Sequence, residues 1–488
     1  MRRLVFSVLL ISSTCLGQGI SNLWPMGYSC CSTNYGGMDI DFGSGAASFV
    51  LKQRYMNFYE TVGAISNSNG NLLFTSNGIY VANALDDTMQ NGMGLNPSAY
   101  TTSMVVNGLA IPQGNLVIPF PGDSTRYYLF HETDDDDHRT NVTMFLYYSV
   151  IDMRLDGGLG AVVQKNSVLF HDSLVPGRIT ATKHANGRDW WLFVHEYNTS
   201  NAFTFLITPQ GISTPIQHDL FNPRGIWFGQ ALFSPQGDKF VYYEPYNDLD
   251  IFDFDRCTGT FSHFVHININ DSAFAGGAAF SPSGRYLYLS SVYEIYQFDL
   301  QASPIVSSKT TVGVYDNYQE QGFYQAFYLA ALAPDGKIYI NCTDGSKYFH
   351  VINAPDSAGL ACNFVQRGLP LPRWDAFTMP NYPNYFLGAD ANSLCDTLST
   401  GIAAIQPSVA AYSVFPNPVR DQLFITHSLK EPVQRITLVN SLGQVQDLPF
   451  NTINNGEYLQ IDFHNFSKGI YYLQLTTKTQ VVSRKVVK

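Results

Sequence analysis

Charge is scarce in this chain: Asp, Glu, Lys and Arg make up 14% of its 488 residues, where about a quarter is usual. No stretch is rich in Ala, Glu, Lys and Leu, so long helices are not expected. Basic residues are the scarcer sign, and the formal net charge of −11 argues against a nucleic-acid backbone as the main partner. No apolar run approaches the ~20 residues that a membrane-spanning helix needs. Cysteine is sparse, with seven in all, and no Cys-x-x-Cys or Cys/His spacing marks a zinc site. Phosphate-binding loop, dinucleotide fingerprint, His-Glu-x-x-His, paired-carboxylate and Gly-x-Ser-x-Gly signatures are all missing. Accordingly no catalytic, cofactor-binding or metal-binding residue is assigned, and an enzyme is the less favoured reading.

What the chain has instead suits strands and tight turns. Hydrophobic residues make up 45%, and there are 30 Tyr, 34 Phe and 39 Gly. The length suggests a main body with an appendage. Charge divides in the same way: residues 411–488 carry eight Lys/Arg against five Asp/Glu, while the stretch 18–410 nets −16. At the N-terminus, Arg2 and Arg3 precede a short apolar run, Leu4 to Ile11, and small residues around Cys15-Leu16-Gly17. This is the pattern of an export signal, residues 1–17, with the cut expected at Gly17/Gln18. Cys15 raises a lipoprotein alternative, which Thr14 fits poorly. Export permits disulfides. Cys30 and Cys31 are adjacent and suit pairing elsewhere, and Cys342 and Cys362 are candidates for a bridge within one sheet.

One turn recurs along the body. Its copies are Asn69-Gly70-Asn71, Pro121-Gly122-Asp123, Asn186-Gly187-Arg188, Pro235-Gln236-Gly237, Pro282-Ser283-Gly284 and Pro334-Asp335-Gly336. The glycines are 52, 65, 50, 47 and 52 residues apart. Pro presets the first turn torsion, Gly accepts positive φ, and the residues beyond alternate into a strand. Further apolar strands precede several turns, such as Gly277 to Phe280, or follow them, such as Glu294 to Asp299. An antiparallel meander repeating at blade length, WD40-like, predicts an all-β propeller over 18–387. Seven blades are expected, the last combining 21–62 with 348–387 and taking one strand from Val351-Ile352-Asn353. A stack of β-sandwiches is the rival architecture.

Residues 388–410 lose the strand pattern and read as a linker. Beyond them, 411–488 alternate clearly through Tyr412 to Phe415, Arg435 to Leu442, Ile470 to Leu475 and Arg484 to Lys488, which predicts a small β-sandwich. These segments resemble the type A C-terminal sorting domain of the Bacteroidetes type IX secretion system. The resemblance is carried by Pro416-Asn417-Pro418, by Leu442-Gly443-Gln444, by Gly469-x-Tyr471-x-Leu473-x-Leu475, and by the basic end with Lys485 and Lys488. Asn440 stands where the family usually has Asp. The resemblance implies handling by that secretion machinery, passage via the periplasm to the outer-membrane surface or medium, and removal of the tail. The body also resembles exported Bacteroidetes propeller proteins, through pieces such as Asn22-Leu23-Trp24 and Lys183 to Trp191.

Three groups were weighed as sites. Asp134, Asp135, Asp136, Asp137 and His138 could offer oxygen ligands to calcium, but they lack the spaced pattern of a calcium loop and read as a solvated acidic loop. His184 or His195 with Asp189, next to Glu196, could form a hydrolase base, but no nucleophile context accompanies them, so a turn-bracing role is favoured. Trp24, Trp227 and Trp374 could stack on sugars, although packing accounts for most aromatic residues in such a chain. The functional expectation is a secreted or surface propeller that binds glycan or protein without catalysis. A polysaccharide hydrolase or lyase, and a structural role in adhesion or gliding, are the alternatives.

Overall fold

A computed structural model describes residues 19–28, 36–134, 142–219, 221–225, 228–391, 393–395, 412–427, 432–440, 444–453, 458–478 and 481–488. The expected signal segment 1–17 with Cys15, together with Cys30, Cys31, Asp135, Asp136, Asp137, His138, Trp227 and Gly443, lies outside the described residues. The chain forms two compact units, 1–398 and 399–488.

In the first unit the repeating turn does what its sequence dictates. All six motif glycines have φ between 72° and 85°, a conformation that only glycine adopts without strain. Each joins the first and second strands of an antiparallel meander, four-stranded except that the third carries a fifth strand and the first two join edge to edge through one parallel pairing, Gln90 with Ala161. Around Gly237, Ser234 O accepts from Gly237 N at 2.8 Å, and Ser234 Oγ caps Lys239 N. The second strand, Lys239–Glu244, then follows directly.

Six such meanders are found among the described residues. They begin at the strands Gly63–Ser66, Asn115–Phe120, Thr180–Lys183, Gln230–Phe233, Gly277–Phe280 and Phe327–Leu332. A three-stranded sheet, Leu23–Met26, Met38–Asp41 and Ser48–Leu51, precedes them. The first strand of the first meander packs on that of the second, and those of the third to sixth pack in succession, while Asn381 of a later segment bridges the second and third, donating to Asn115 O and Ile179 O. The sixth meander packs back on the N-terminal sheet, where Trp24, Phe42 and Tyr339 share one core. The sheets therefore close radially on a common axis, and the unit is a β-propeller, not layered sandwiches. Aromatic residues fill the spaces between sheets. Phe240, fully buried, touches Phe193, Phe233 and Phe261, and its truncation to Ala would cost about 3–5 kcal/mol.

Two expectations are corrected. Val351 and Ile352 belong to the third strand of the sixth meander, Ser346–Ile352, and do not join the N-terminal sheet. Cys342 and Cys362 are free, buried thiols. Cys342 ends a strand whose other end, Ile338, pairs with Ile352, which in turn pairs with Phe364 beside Cys362. The two cysteines thus sit about four residues apart along the sheet, roughly 13 Å, beyond disulfide reach. Among the described residues the disulfide is Cys257–Cys395.

That bond ends a strap that no turn motif announces. After Asp375 the chain runs along the first strands. Phe377 N donates to Tyr59 O, and Thr378 Oγ1 to Phe58 O. Asn381 Nδ2 donates to Asn115 O and Ile179 O at 3.1 and 2.8 Å. Tyr382 Oη reaches Leu23 O, Asn384 Nδ2 reaches Pro235 O, and Tyr385 Oη reaches Val117 O. Asp390 N then donates to Ala185 O, and Gly388 O accepts from Arg256. One short segment therefore ties together sheets from across the ring and occupies its channel, and the first residues of the stretch read as a linker are held by the body.

The second unit is a sandwich of two four-stranded sheets. Leu423, Ile425, Leu459 and Ile461 from one sheet meet Ile436, Leu438, Leu473 and Leu475 from the other.

Candidate functional site

The sequence candidates fall in separate places. His184 Nδ1 accepts from Asn186 N, while Asp189 binds Arg188 and Asn186, so both brace the turn that contains Gly187. His195 lies at the far end of the strand Trp190–His195, about 20 Å along from Asp189. It is packed against Phe221 and Tyr242, and burial pulls its pKa down to about 3. Glu196 is engaged by Thr199 and Asn201. These residues do not form a base–orienter pair. Trp24 and Trp374 are each 1% exposed, so neither offers a stacking face. Asp134 is buried, and no group of three His, Cys, Asp or Glu among the described residues is placed to hold a metal ion.

A different constellation gathers on the axis. Glu60 precedes the first strand of one meander and Arg178 that of another, while Glu244 ends a second strand and Tyr328 lies in a first strand. Tyr328 Oη donates to Glu60 at 2.6 Å. Arg178 acts electrostatically on both carboxyl groups and lies 5.7 Å from the Tyr242 ring, and its φ of 78° is a strained conformation for a side-chain-bearing residue. Arg224 pairs with Asp250 at 2.5 Å beside the same ring. Burial pushes both Glu60 and Glu244 up to about 7, against the pull of the arginines. Such values suit acid–base work, but all of these side chains are buried.

The two ends of the axis differ. In a four-stranded meander the glycine turns share one end, while the second-to-third-strand turns and the links between meanders share the other. The linking end displays rings. Tyr246 is 64% exposed, Tyr293 49% and Tyr324 53%, with Phe274, Tyr318 and Phe323 also open to solvent. They come from loops of the fourth, fifth and sixth meanders and their links. Tyr318 donates to Glu320 and lies under Arg367. None of these rings is among the stacking candidates named from the sequence, because with 30 Tyr and 34 Phe in the chain no single one stands out. Their signal was Tyr and Phe standing in loops, outside any alternating strand. The glycine-turn end holds a cavity of about 640 Å³ beside the strap.

In the second unit the motif residues converge on the last strand. Asn417 Nδ2 donates to Lys485 O, and Asn417 Oδ1 accepts from Val487 N. Gly469 and Lys488 exchange backbone hydrogen bonds, and Lys488 Nζ reaches Phe463 O at 2.7 Å. Tyr471 Oη donates to Ser467 O. Pro416 and Pro418 flank Asn417 at the corner, the Lys485 side chain is exposed, and Asn440 Oδ1 accepts from Gln444 N to close its turn.

Residues 413–488 match the family of secretion system C-terminal sorting domains. No curated protein matches the chain. Similar solved structures include a Lactobacillus plantarum protein, with 12% identity over 74% of this chain and 98% of that one, TM-score 0.41. Another is the β-propeller domain of Cps50 (Swd1) from Myceliophteria thermophila, with 11% identity, 66% and 96% coverage, and TM-score 0.36. A third is a quinonprotein alcohol dehydrogenase-like protein from Bacteroides thetaiotaomicron, with 10% identity, 74% and 76% coverage, and TM-score 0.35. The tail is thus a type IX secretion system sorting domain, a Bacteroidetes marker, and it directs export to the cell surface or the extracellular space. No helix among the described residues is long and apolar enough to cross a membrane.

Proposed function

We propose that the exported body is a binding protein, without catalysis, that presents the linking end of its propeller to an extracellular glycan. The supporting observation is the set of exposed rings at that end, Tyr246, Tyr293, Tyr318 and Tyr324 among them. Flat amphipathic rings with carboxylate neighbours such as Glu320 suit sugar faces and hydroxyls. The ionisable groups on the axis, by contrast, are sealed from any substrate.

A glycan array on the purified mature protein tests this reading. Binding is expected to weaken at least tenfold in Tyr293→Ala and Tyr324→Ala, with the melting temperature unchanged. An array without hits, alongside capture of a defined protein by the same face, would replace glycan with protein.

The hydrolase alternative has one observation of its own, the two carboxyl groups raised to about 7 around Arg178. A polysaccharide hydrolysis screen decides it. Product formation that disappears in Glu60→Gln or Glu244→Gln would overturn the non-catalytic reading.

A further inference from the structure

The cavity at the glycine-turn end has a chemistry unlike anything at the linking end. Its lining contains no Asp, Glu, His, Lys or Arg. Ala, Pro, Leu and Phe dominate, among them Phe280, Pro282, Leu332 and Pro334 from the ends of first strands and their turns. The strap supplies another wall, Pro380 to Phe386. At about 640 Å³ the cavity falls within the ~300–1,000 Å³ of ordinary ligand sites.

Several of its polar groups are committed already. Asn381 and Asn384 hold backbone carbonyls, as do the hydroxyls of Tyr382 and Tyr385. Gln113 exchanges two bonds with Ala231. Gln230 Oε1 accepts from both Ala278 N and Ala330 N, and its Nε2 has no hydrogen-bond partner among the described residues. Besides these, Ser21, Asn22, Thr180 and Thr182 are scattered along a lining that is otherwise mostly apolar. A saccharide, with a hydroxyl on most of its carbons, would bury more polar groups than this lining can pair, whereas proline and aromatic rings add little polar surface. A charged ligand would lose its hydration with no counter-charge.

The channel itself shows what it accepts. It already holds an extended, uncharged segment, Pro-Asn-Tyr-Pro-Asn-Tyr at 380–385, through side-chain contacts to backbone carbonyls. We infer that the cavity beside it is a second binding site, for an uncharged, extended peptide rich in Pro and aromatic residues, with Gln230 Nε2 donating to a peptide carbonyl. This site is independent of the glycan reading for the opposite end.

The test uses the mature protein and three probes in calorimetry: the hexapeptide Pro-Asn-Tyr-Pro-Asn-Tyr capped at both ends, the same peptide with both Asn replaced by Asp, and a neutral hexasaccharide. The capped neutral peptide is expected to bind, the acidic version at least tenfold more weakly, and the saccharide not at this site. Ala331→Trp fills the cavity and should weaken peptide binding at least tenfold while glycan-array signals from the linking end persist. Phe386→Ala removes an exposed wall residue without touching the core, and should weaken binding several-fold even if Ala331→Trp fails to fold. Absence of peptide binding, equal binding by parent and both variants, or competition by the hexasaccharide alone would overturn the inference. Loss of glycan signals with peptide binding intact would instead count against the proposed function.

Discussion

The two units are both built from antiparallel strands, yet they are closed in different ways. The sorting domain is closed by its last strand, which pairs along its neighbour Ile470–Thr476 and is held at the corner by the exposed Asn417. The body is closed by the buried strap, which reaches residues as distant as Leu23, Val117 and Pro235 and is pinned by a disulfide spanning 138 positions. A sandwich of two sheets closes through its neighbours. A ring has no closing neighbour until its last segment returns, so its integrity depends on contacts between parts of the chain that are remote in sequence.

The largest expected effect tests whether the units are separate in task. Deleting 411–488 should abolish delivery to the surface, with the body trapped in the periplasm but still melting cooperatively. Cell fractionation and a thermal melt check both halves. Surface delivery of the truncated chain would refute the sorting assignment, and an unfolded body would show that the tail helps to close the ring. Next in size is the strap disulfide. Replacing Cys257 and Cys395 together by Ser should destabilise the body by about 4 kcal/mol, given the long loop released, and leave an isolated tail unaffected. A loss under about 1 kcal/mol would mean that the strap's hydrogen bonds suffice.

A third test uses pH, because the body carries a buried acid where the strap enters and the tail's core is apolar. Burial raises Glu60 from an ordinary 4.5 to about 7, so the folded state keeps a proton that the unfolded chain releases. Below pH 4.5 both states are protonated and nothing changes. Between 4.5 and 7 stability falls as pH rises, and above 7 the full penalty stands. Glu60→Gln, which cannot ionise, should therefore gain on the parent by about 3 kcal/mol across that window. Denaturant melts at pH 4.5, 6 and 8 read it, and a constant difference at all three would deny the group's burial.

How much of this was legible in sequence follows the same division. The six glycine turns were readable because a turn is local: Pro, Gly and the alternating strand after them lie within ten residues. The sorting domain was readable for a different reason: its short pieces stand in a fixed order along residues 411–488 and resemble a known family. The strap was not, since Asn381 and Tyr385 act on carbonyls more than 200 positions away and their segment lacks strand alternation. Glu60, Arg178, Glu244 and Tyr328 show no common spacing. Only the ring, by placing the starts of first strands and the ends of second strands around one axis, brings them together. The Cys342–Cys362 expectation failed because closeness in sequence was taken for closeness in space, whereas the meander sets the two at opposite ends of its strands.

The smallest expected effect lies at the tail's corner. Asn417→Ala removes both hydrogen bonds to the final strand, but the site is exposed and water replaces what is lost. A net contribution of about 0.5–1.5 kcal/mol per bond is typical and exposure puts this pair at the low end, so a loss of about 1 kcal/mol is expected for the isolated sorting domain and none for the body. Asn417→Asp separates the two bonds. It keeps the acceptor for Val487 N and deletes the donor to Lys485 O, so it should fall between parent and Ala. If Asp matches Ala, the donor bond to Lys485 O carries the whole of Asn417's contribution. If either variant destabilises the body, the closures are coupled, and the contrast between a locally closed tail and a remotely closed ring fails.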